Sequence, residues 1–428
     1  MTPHSAHEPG QTWHRPGYDF DPSTVVSLPP AAYANEVIHD RETQRVFAPG
    51  EGLSYMGHDI LLPEVGHRRS DSDPRLVLTR DPDGTVRLLA NLCTHACRPL
   101  LNHDDPVAKP RLTCEYHDWT FRPDGSLIGG ANFDLGRGEE AERRRRALQI
   151  PRFELLSWHG FHFAVDPSRR DSYSADLARI DDDFRERGVD HWLDLDDCVV
   201  FSTHDDPYVG DWKAFLEVFG DCYHVPPYHP GLASFVDCAS IEWTFGENFH
   251  AQFLTLSDER GCKSAKYAQW ADGLDEYYAK RGETTPRMGV GWVGIYPNLM
   301  FEVYNGLRVL SVIVPLGFGQ YVNRVHYCVP ADMEALVPGL AQAVVDAFEE
   351  TVLEDHDLVE RRHEGMVAAR SLGITFDKFW RPDRVPFTVG ERSEDDFHLV
   401  QLYHKAPGKE PYEFLVIYHV DGSWPPKP

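Results

Sequence analysis

Positive charge is in short supply in this chain: 42 Lys and Arg stand against 68 Asp and Glu, a formal net charge of −26. A nucleic-acid binder needs a basic face to displace counterions from phosphate, so the balance argues against that class. The one dense basic run, 143–146, follows Glu139, Glu140 and Glu142 and reads as a solvated face. Cysteine is scarce as well. Eight in 428 residues, irregularly spaced, are too few for a disulfide framework and point to a reducing compartment. No apolar run approaches the roughly 18 residues that span a bilayer, and residues 1–14 hold no apolar core of a secretory leader. Internal repeats are missing too. These absences predict a cytoplasmic protein without nucleic-acid or membrane partners.

What is present is ordinary globular composition, 42% hydrophobic and 26% charged, in a length that suggests two or three domains. Residues 1–30, rich in Pro, Gly, His and Ser, read as an extended arm, and Tyr33, Val37, Ile38, Gln44 and Phe47 have the spacing of a short amphipathic helix. Between 50 and 165 short β-type runs such as Leu76-Val77-Leu78 and Val86-Arg87-Leu88-Leu89 are broken by turns, among them Asp81-Pro82-Asp83-Gly84. From 166 the pattern is mixed, with helical spacing over 172–187, 211–224 and 338–366 and strand-like runs at 250–256, 290–303, 307–315 and 413–418. The expected division is 1–45 as arm and helix, 46–165 as an all-β unit and 166–428 as an α+β domain ending in a Pro-rich tail.

Two Cys/His pairs stand out in the β unit, Cys93-Thr94-His95 and Cys114-Glu115-Tyr116-His117, each at the end of a strand-like run. Two thiolates and two imidazoles are the ligand set of a Rieske 2Fe-2S centre, in which two cysteines hold one iron and two histidines the other. The alternating order lets each loop give one ligand to each iron. A structural zinc site uses the same residues, but common zinc modules pair Cys with Cys and His with His. Cys97 reads as a bystander, while Tyr116 and Trp119 are placed to shield a cluster.

A second constellation follows. Residues 211–224 have apolar or aromatic side chains at 212, 215, 216, 219 and 223, with Asp211 as N-cap. Glu217, Asp221 and His224 then share a polar face. Pro226 and Pro227 are expected to end this helix just after His224 and turn the chain so that His229 returns toward the same metal. A carboxylate is still needed. Val345, Phe348, Val352 and Val359 form a helical stripe in which Asp355 occupies a buried position, a costly placement unless a partner or metal compensates. Glu354 and Asp357 read as a solvated face. Asp221, three residues before His224, is placed to hydrogen-bond histidine ligands and connect the two centres.

These residues resemble the catalytic α subunit of Rieske non-haem iron ring-hydroxylating oxygenases, over most of the chain from about Pro30 to Met366. The strongest pieces are Cys93-x-His95, Cys114 through Phe121, and Glu217 through His229 followed by Pro230-Gly231-Leu232; 296–300 also looks familial. The resemblance implies an α+β protein, a Rieske β domain joined to a helix-capped antiparallel sheet of the helix-grip, START-like kind. It implies a [2Fe-2S] cluster on Cys93, His95, Cys114 and His117, and Fe(II) on His224, His229 and Asp355. O2 would be the co-substrate, and NAD(P)H would supply electrons through a separate reductase, sometimes with a ferredoxin. It further implies a homotrimer, in some members with a small β subunit, in which the cluster of one subunit feeds its neighbour's iron through the aspartate matched by Asp221. Two features depart from the pattern. Ala96-Cys97 follows His95 where Arg-Gly is frequent, and Glu115 and Asp118 stand where Pro and Gly are frequent. The expected activity is hydroxylation, dihydroxylation or oxidative demethylation of a small organic substrate, expected to be aromatic, with Phe219, Trp292, Val293, Tyr296 and Met300 as pocket candidates. Rival readings are a quaternary-ammonium monooxygenase with an aromatic cage, a Rieske electron carrier, and a zinc hydrolase using His224 and His229.

Overall fold

The computed structural model describes residues 33–133, 135–220, 224–246 and 248–373, together with the backbone of three further strands, Arg384–Thr388, His398–His404 and Glu413–His419. The arm expected over 1–30 and the tail after 419 lie outside the described residues, as does Asp221.

Short strands separated by turns build the N-terminal unit as three small antiparallel sheets. Gly66–Arg69, Leu76–Arg80, Val86–Ala90 and Arg152–Phe153 form one of them, and Leu112–Thr113, Thr120–Phe121 and Leu127–Gly129 form another. Both pack on a shared core of Val77, Leu89, Leu112, Phe121 and Leu127. Together they make the β unit that carries both Cys/His loops. The third sheet, Leu53–His58 with Phe161–Val165 and Leu155–Trp158, joins it to the rest: Tyr55, Phe161 and Phe163 share a core with Phe249, Phe301 and Val312 of the larger domain.

That larger domain is α+β, centred on a seven-stranded antiparallel sheet. Its order is Cys198–Val209, Gln320–Pro330, Leu307–Gly317, Leu299–Tyr304, Met288–Ile295, Phe249–Thr255 and Glu242–Phe245. Side chains alternate across a strand, so successive residues enter different cores. Val290 and Trp292 join Tyr304, Leu307 and Val309 beneath two helices, Ala265–Lys280 and Leu340–Ser371. Val293 and Ile295 face the other way, onto Phe301, Val303 and the helix Arg170–Glu186. The apolar run read as one strand over 290–303 is two strands, turning at Tyr296-Pro297-Asn298. Helix Ala265–Lys280, started by a Ser264 cap, escaped the periodicity reading although Tyr267, Trp270, Ala271, Leu274 and Tyr277 make its buried stripe.

Candidate active site and metal centres

At the tip of the N-terminal β unit the two Cys/His loops are built alike. Cys97 N–H donates to Cys93 O at 2.9 Å and Asp118 N–H to Cys114 O at 3.0 Å. The closing residue of each turn has positive φ, 57° at Cys97 and 55° at Asp118. These are the two positions where the family favours glycine, and the left-handed backbone supplies the reason. Cys93 and Cys114 are buried, and the His95 and His117 rings lie 4.6 Å apart between centroids. Trp119 is buried and stacks on His95 at 4.9 Å; a Cβ at Gly130 would strike its ring at 2.3 Å, so only glycine lets the indole lie there. Tyr116 is 58% exposed, with its ring 3.7 Å from that of His117. The rim is less acidic than its sequence suggests, because Arg98 pairs with Glu115 at 2.8 Å. His117 Nδ1 is buried without a hydrogen-bond partner among the described residues. A buried imidazole nitrogen without a partner is costly, and beside two buried thiols it suits a ligand to an iron-sulfur cluster.

The second donor set is assembled from two distant stretches. Helix Trp212–Phe219 ends sooner than its sequence pattern suggests, with Gly220 as C-cap. Glu217 therefore does not share a helical face with His224; it is buried against Tyr33 and Arg362. The prolines do not stop a helix. They occupy the first turn of a new one, Val225–Tyr228, where a missing N–H costs no hydrogen bond. His224 precedes this turn and His229 follows it, which brings their Nε2 atoms to 3.1 Å.

Asp355, midway along Leu340–Ser371, faces them with Oδ1 at 3.0 Å from His229 Nε2 and 3.5 Å from His224 Nε2. Their ligand atoms all lie within 4.8 Å of one another. Burial alone would raise the Asp355 carboxyl, but the two histidines hold it below its ordinary value. Glu354, expected on a solvated face, accepts a hydrogen bond from His229 Nδ1 at 2.7 Å. That contact places a proton on Nδ1 and frees Nε2 to serve as a metal ligand beside Asp355. Asp357 is a surface acid paired with Arg361. Two imidazoles and a carboxylate on one side of a cavity are the donors of a facial triad, and they fit ferrous iron with open positions.

A pocket opens on this triad and encloses about 680 Å³ of atom-free space, mouth included. Phe219 and Trp292 line it, as do Tyr208, Phe348, Glu302 and Tyr304. Val293, Tyr296 and Met300 do not. Val293 follows Trp292 and so points to the opposite face, whereas Met300 and Tyr296 pack in a separate core with Trp212 and Ile313. Glu302 was missed. Its signal was a lone carboxylate inside the apolar strand Leu299–Tyr304, the same anomaly that marked Asp355.

Sulfur and nitrogen donors at one tip, and a nitrogen and oxygen triad beneath a long helix, define a protein with two separate iron-type centres. Family models agree at both ends: the Rieske [2Fe-2S] domain matches residues 56–134 and the ring hydroxylating alpha subunit (catalytic domain) matches 195–399. The chain belongs to the Rieske non-haem iron ring-hydroxylating oxygenases, as a catalytic α subunit. Putrescine 2-hydroxylase of Ralstonia nicotianae is 33% identical over 353 residues, covering 81% of this chain and 88% of that protein. The carnitine monooxygenase oxygenase subunit of Acinetobacter pittii is 24% identical over 90% of this chain and 96% of its own length. The crystal structure of a quaternary ammonium Rieske monooxygenase shares the fold, with a TM-score of 0.64, 19% identity and coverage of 83% of this chain and 89% of that one. The protein is thus a terminal oxygenase, an oxidoreductase carrying a Rieske cluster and a mononuclear iron. Family members act on small organic substrates and work with a reductase and ferredoxin. No helix among the described residues is long and apolar enough to cross a membrane.

Proposed function

We propose that this oxygenase hydroxylates a saturated C–H bond of a small aliphatic amine. The observation that carries the reading is the charge of the pocket: beyond the triad, its lining contains one carboxylate, Glu302, and no Lys or Arg. A substrate carboxylate would find no counter-ion there, whereas an ammonium group would. The relative named putrescine 2-hydroxylase supports the same class. Overall, the substrate C–H, O2, two electrons and two protons give an alcohol and water, with electrons passed from NAD(P)H by the reductase.

In this reading Cys93 and Cys114 hold one iron of the cluster and His95 and His117 the other, while His224, His229 and Asp355 hold the catalytic iron. The iron supplies O2 activation at its open positions. The chain does the rest. Glu354 holds the His229 proton at Nδ1, the aromatic walls exclude water and position the alkyl chain, and Asp221 connects the centres of adjacent subunits in a homotrimer.

The test is reconstitution with a matched reductase under 18O2, comparing putrescine with carnitine, choline, benzoate and naphthalene. One 18O in a hydroxylated diamine is expected; turnover of the aromatic compounds alone would sink the proposal. The quaternary-ammonium reading draws on Trp292, Tyr304 and Phe348, whose faces could surround a methylated cation.

A further inference from the structure

The pocket's polar side chains are differently committed. Thr351 is engaged by the Tyr267 hydroxyl at 2.7 Å, and Ser311 by Asn323 at 2.7 Å. Glu302 is not. Its one hydrogen-bond donor among the described residues is the Tyr304 hydroxyl at 3.2 Å to Oε2, itself receiving the Trp292 indole N–H at 2.7 Å. Trp292 and Glu302 are cross-strand partners, so indole and carboxylate lie side by side on the pocket wall. No cationic side chain among the described residues pairs with Glu302. The titratable groups that feel its charge are Tyr304 on its own strand, Tyr327 two strands away in the sheet, Tyr267 on the helix above and Asp355 on the long helix. None can be a cation. A second uncommitted polar atom in the lining is the buried Tyr208 hydroxyl.

An unpaired carboxylate in an apolar chamber is unfavourable unless something compensates it, and nothing in the surrounding fold does. Resting on the amine reading above, we propose that Glu302 is the specificity residue for this substrate: its carboxylate binds the protonated amino group of the bound amine. Its oxygens accept N–H bonds that a quaternary ammonium cannot give. A carboxylate anchored on the sheet also sets which carbon faces His224, His229 and Asp355, because the chain between ammonium and iron has fixed length. Charge-assisted bonds in a water-poor site are strong enough to select among substrates of equal size.

The test uses protein loaded with cluster and iron, and measures Kd by calorimetry for putrescine and for 1,4-butanediol, its neutral counterpart of similar length. Glu302→Gln is expected to lower the preference for putrescine over butanediol by about 100-fold, as expected for loss of a desolvated charge pair, with metal content unchanged. Glu302→Asp, which keeps the charge but draws it back by a methylene, is expected to recover part of that preference and covers the case in which the Gln variant folds poorly. An unchanged preference in both variants overturns the anchor and leaves amine hydroxylation standing. A parallel loss of both ligands makes Glu302 structural and likewise overturns it. A wild-type protein that hydroxylates no amine removes the function and the anchor together.

Discussion

Cys97 and Asp118 hold left-handed backbone without being glycine, a conformation that costs an L-residue on the order of 1 kcal/mol. Both are exposed, so replacement removes little packing. Cys97→Gly and Asp118→Gly should each stabilise the loaded protein by about 1 kcal/mol, read as a rise in thermal midpoint with an unchanged EPR spectrum of the reduced cluster. Glu302 makes the opposite kind of demand. Burial pushes its carboxyl up to about 8, opposed by the bond from Tyr304 and aided by a smaller contribution from Asp355. A folded-state value above the unfolded one means that the native state with an empty pocket holds the extra proton between about pH 4.5 and pH 8, the proton that a bound ammonium group would replace as the compensating charge. Stability therefore declines as pH rises through that window, by up to about 1 kcal/mol per unit. Urea midpoints from pH 5 to 8 should fall less steeply in Glu302→Gln than in wild type, and parallel curves would contradict the assignment.

Elements, rather than single residues, decide whether the triad assembles. The N-terminal helix Glu36–Arg45 is fastened to helix Trp212–Phe219 through buried charge: Lys213 Nζ lies 2.7 Å from both Glu42 and Asp211, and the Trp212 indole donates to Glu42 at 2.9 Å. Burial would lower the Lys213 ammonium, but its two carboxylates hold it above the ordinary value. Lys213→Met leaves those carboxylates unpaired and should cost about 3–5 kcal/mol, measured by denaturant midpoint, with iron content falling because the segment leading to His224 loses its support. The same region shows what the sequence made legible. Asp355 could be found because helical periodicity is long and exposes one misplaced charge. Val225–Tyr228 could not, since a Pro-Pro pair can end one helix or begin the next, and only the early stop at Phe219 decides between them. Glu354 was misread because its neighbour on the helix wheel is solvent until His229 arrives from 125 positions away. Val293 was misassigned because strand alternation does not say which face borders the cavity, and Met300 because, although it shares the face of Glu302, it lies farther along the strand in the core with Trp212 and Ile313.

At the scale of the whole molecule, the two centres differ in how they meet their surroundings. His95 and Tyr116 are exposed at the tip of the Rieske domain, so the histidine edge of the cluster faces outward from the subunit, whereas His229 is buried and the triad lies beneath the long helix. Electron delivery across such a boundary needs a polar link on the iron side. Asp221, just before His224 in sequence, is our proposal for it. Asp221→Asn keeps size and removes charge, so cluster and iron content should remain near wild type while coupled hydroxylation falls by about 100-fold or more. Three measurements decide this: metal analysis, the rate of cluster reduction by the reductase, and single-turnover product yield. Normal metals and normal cluster reduction with little product place the defect between the centres. Loss of both metals would instead make Asp221 a structural residue, and full product yield would leave the link to be sought elsewhere on the subunit boundary.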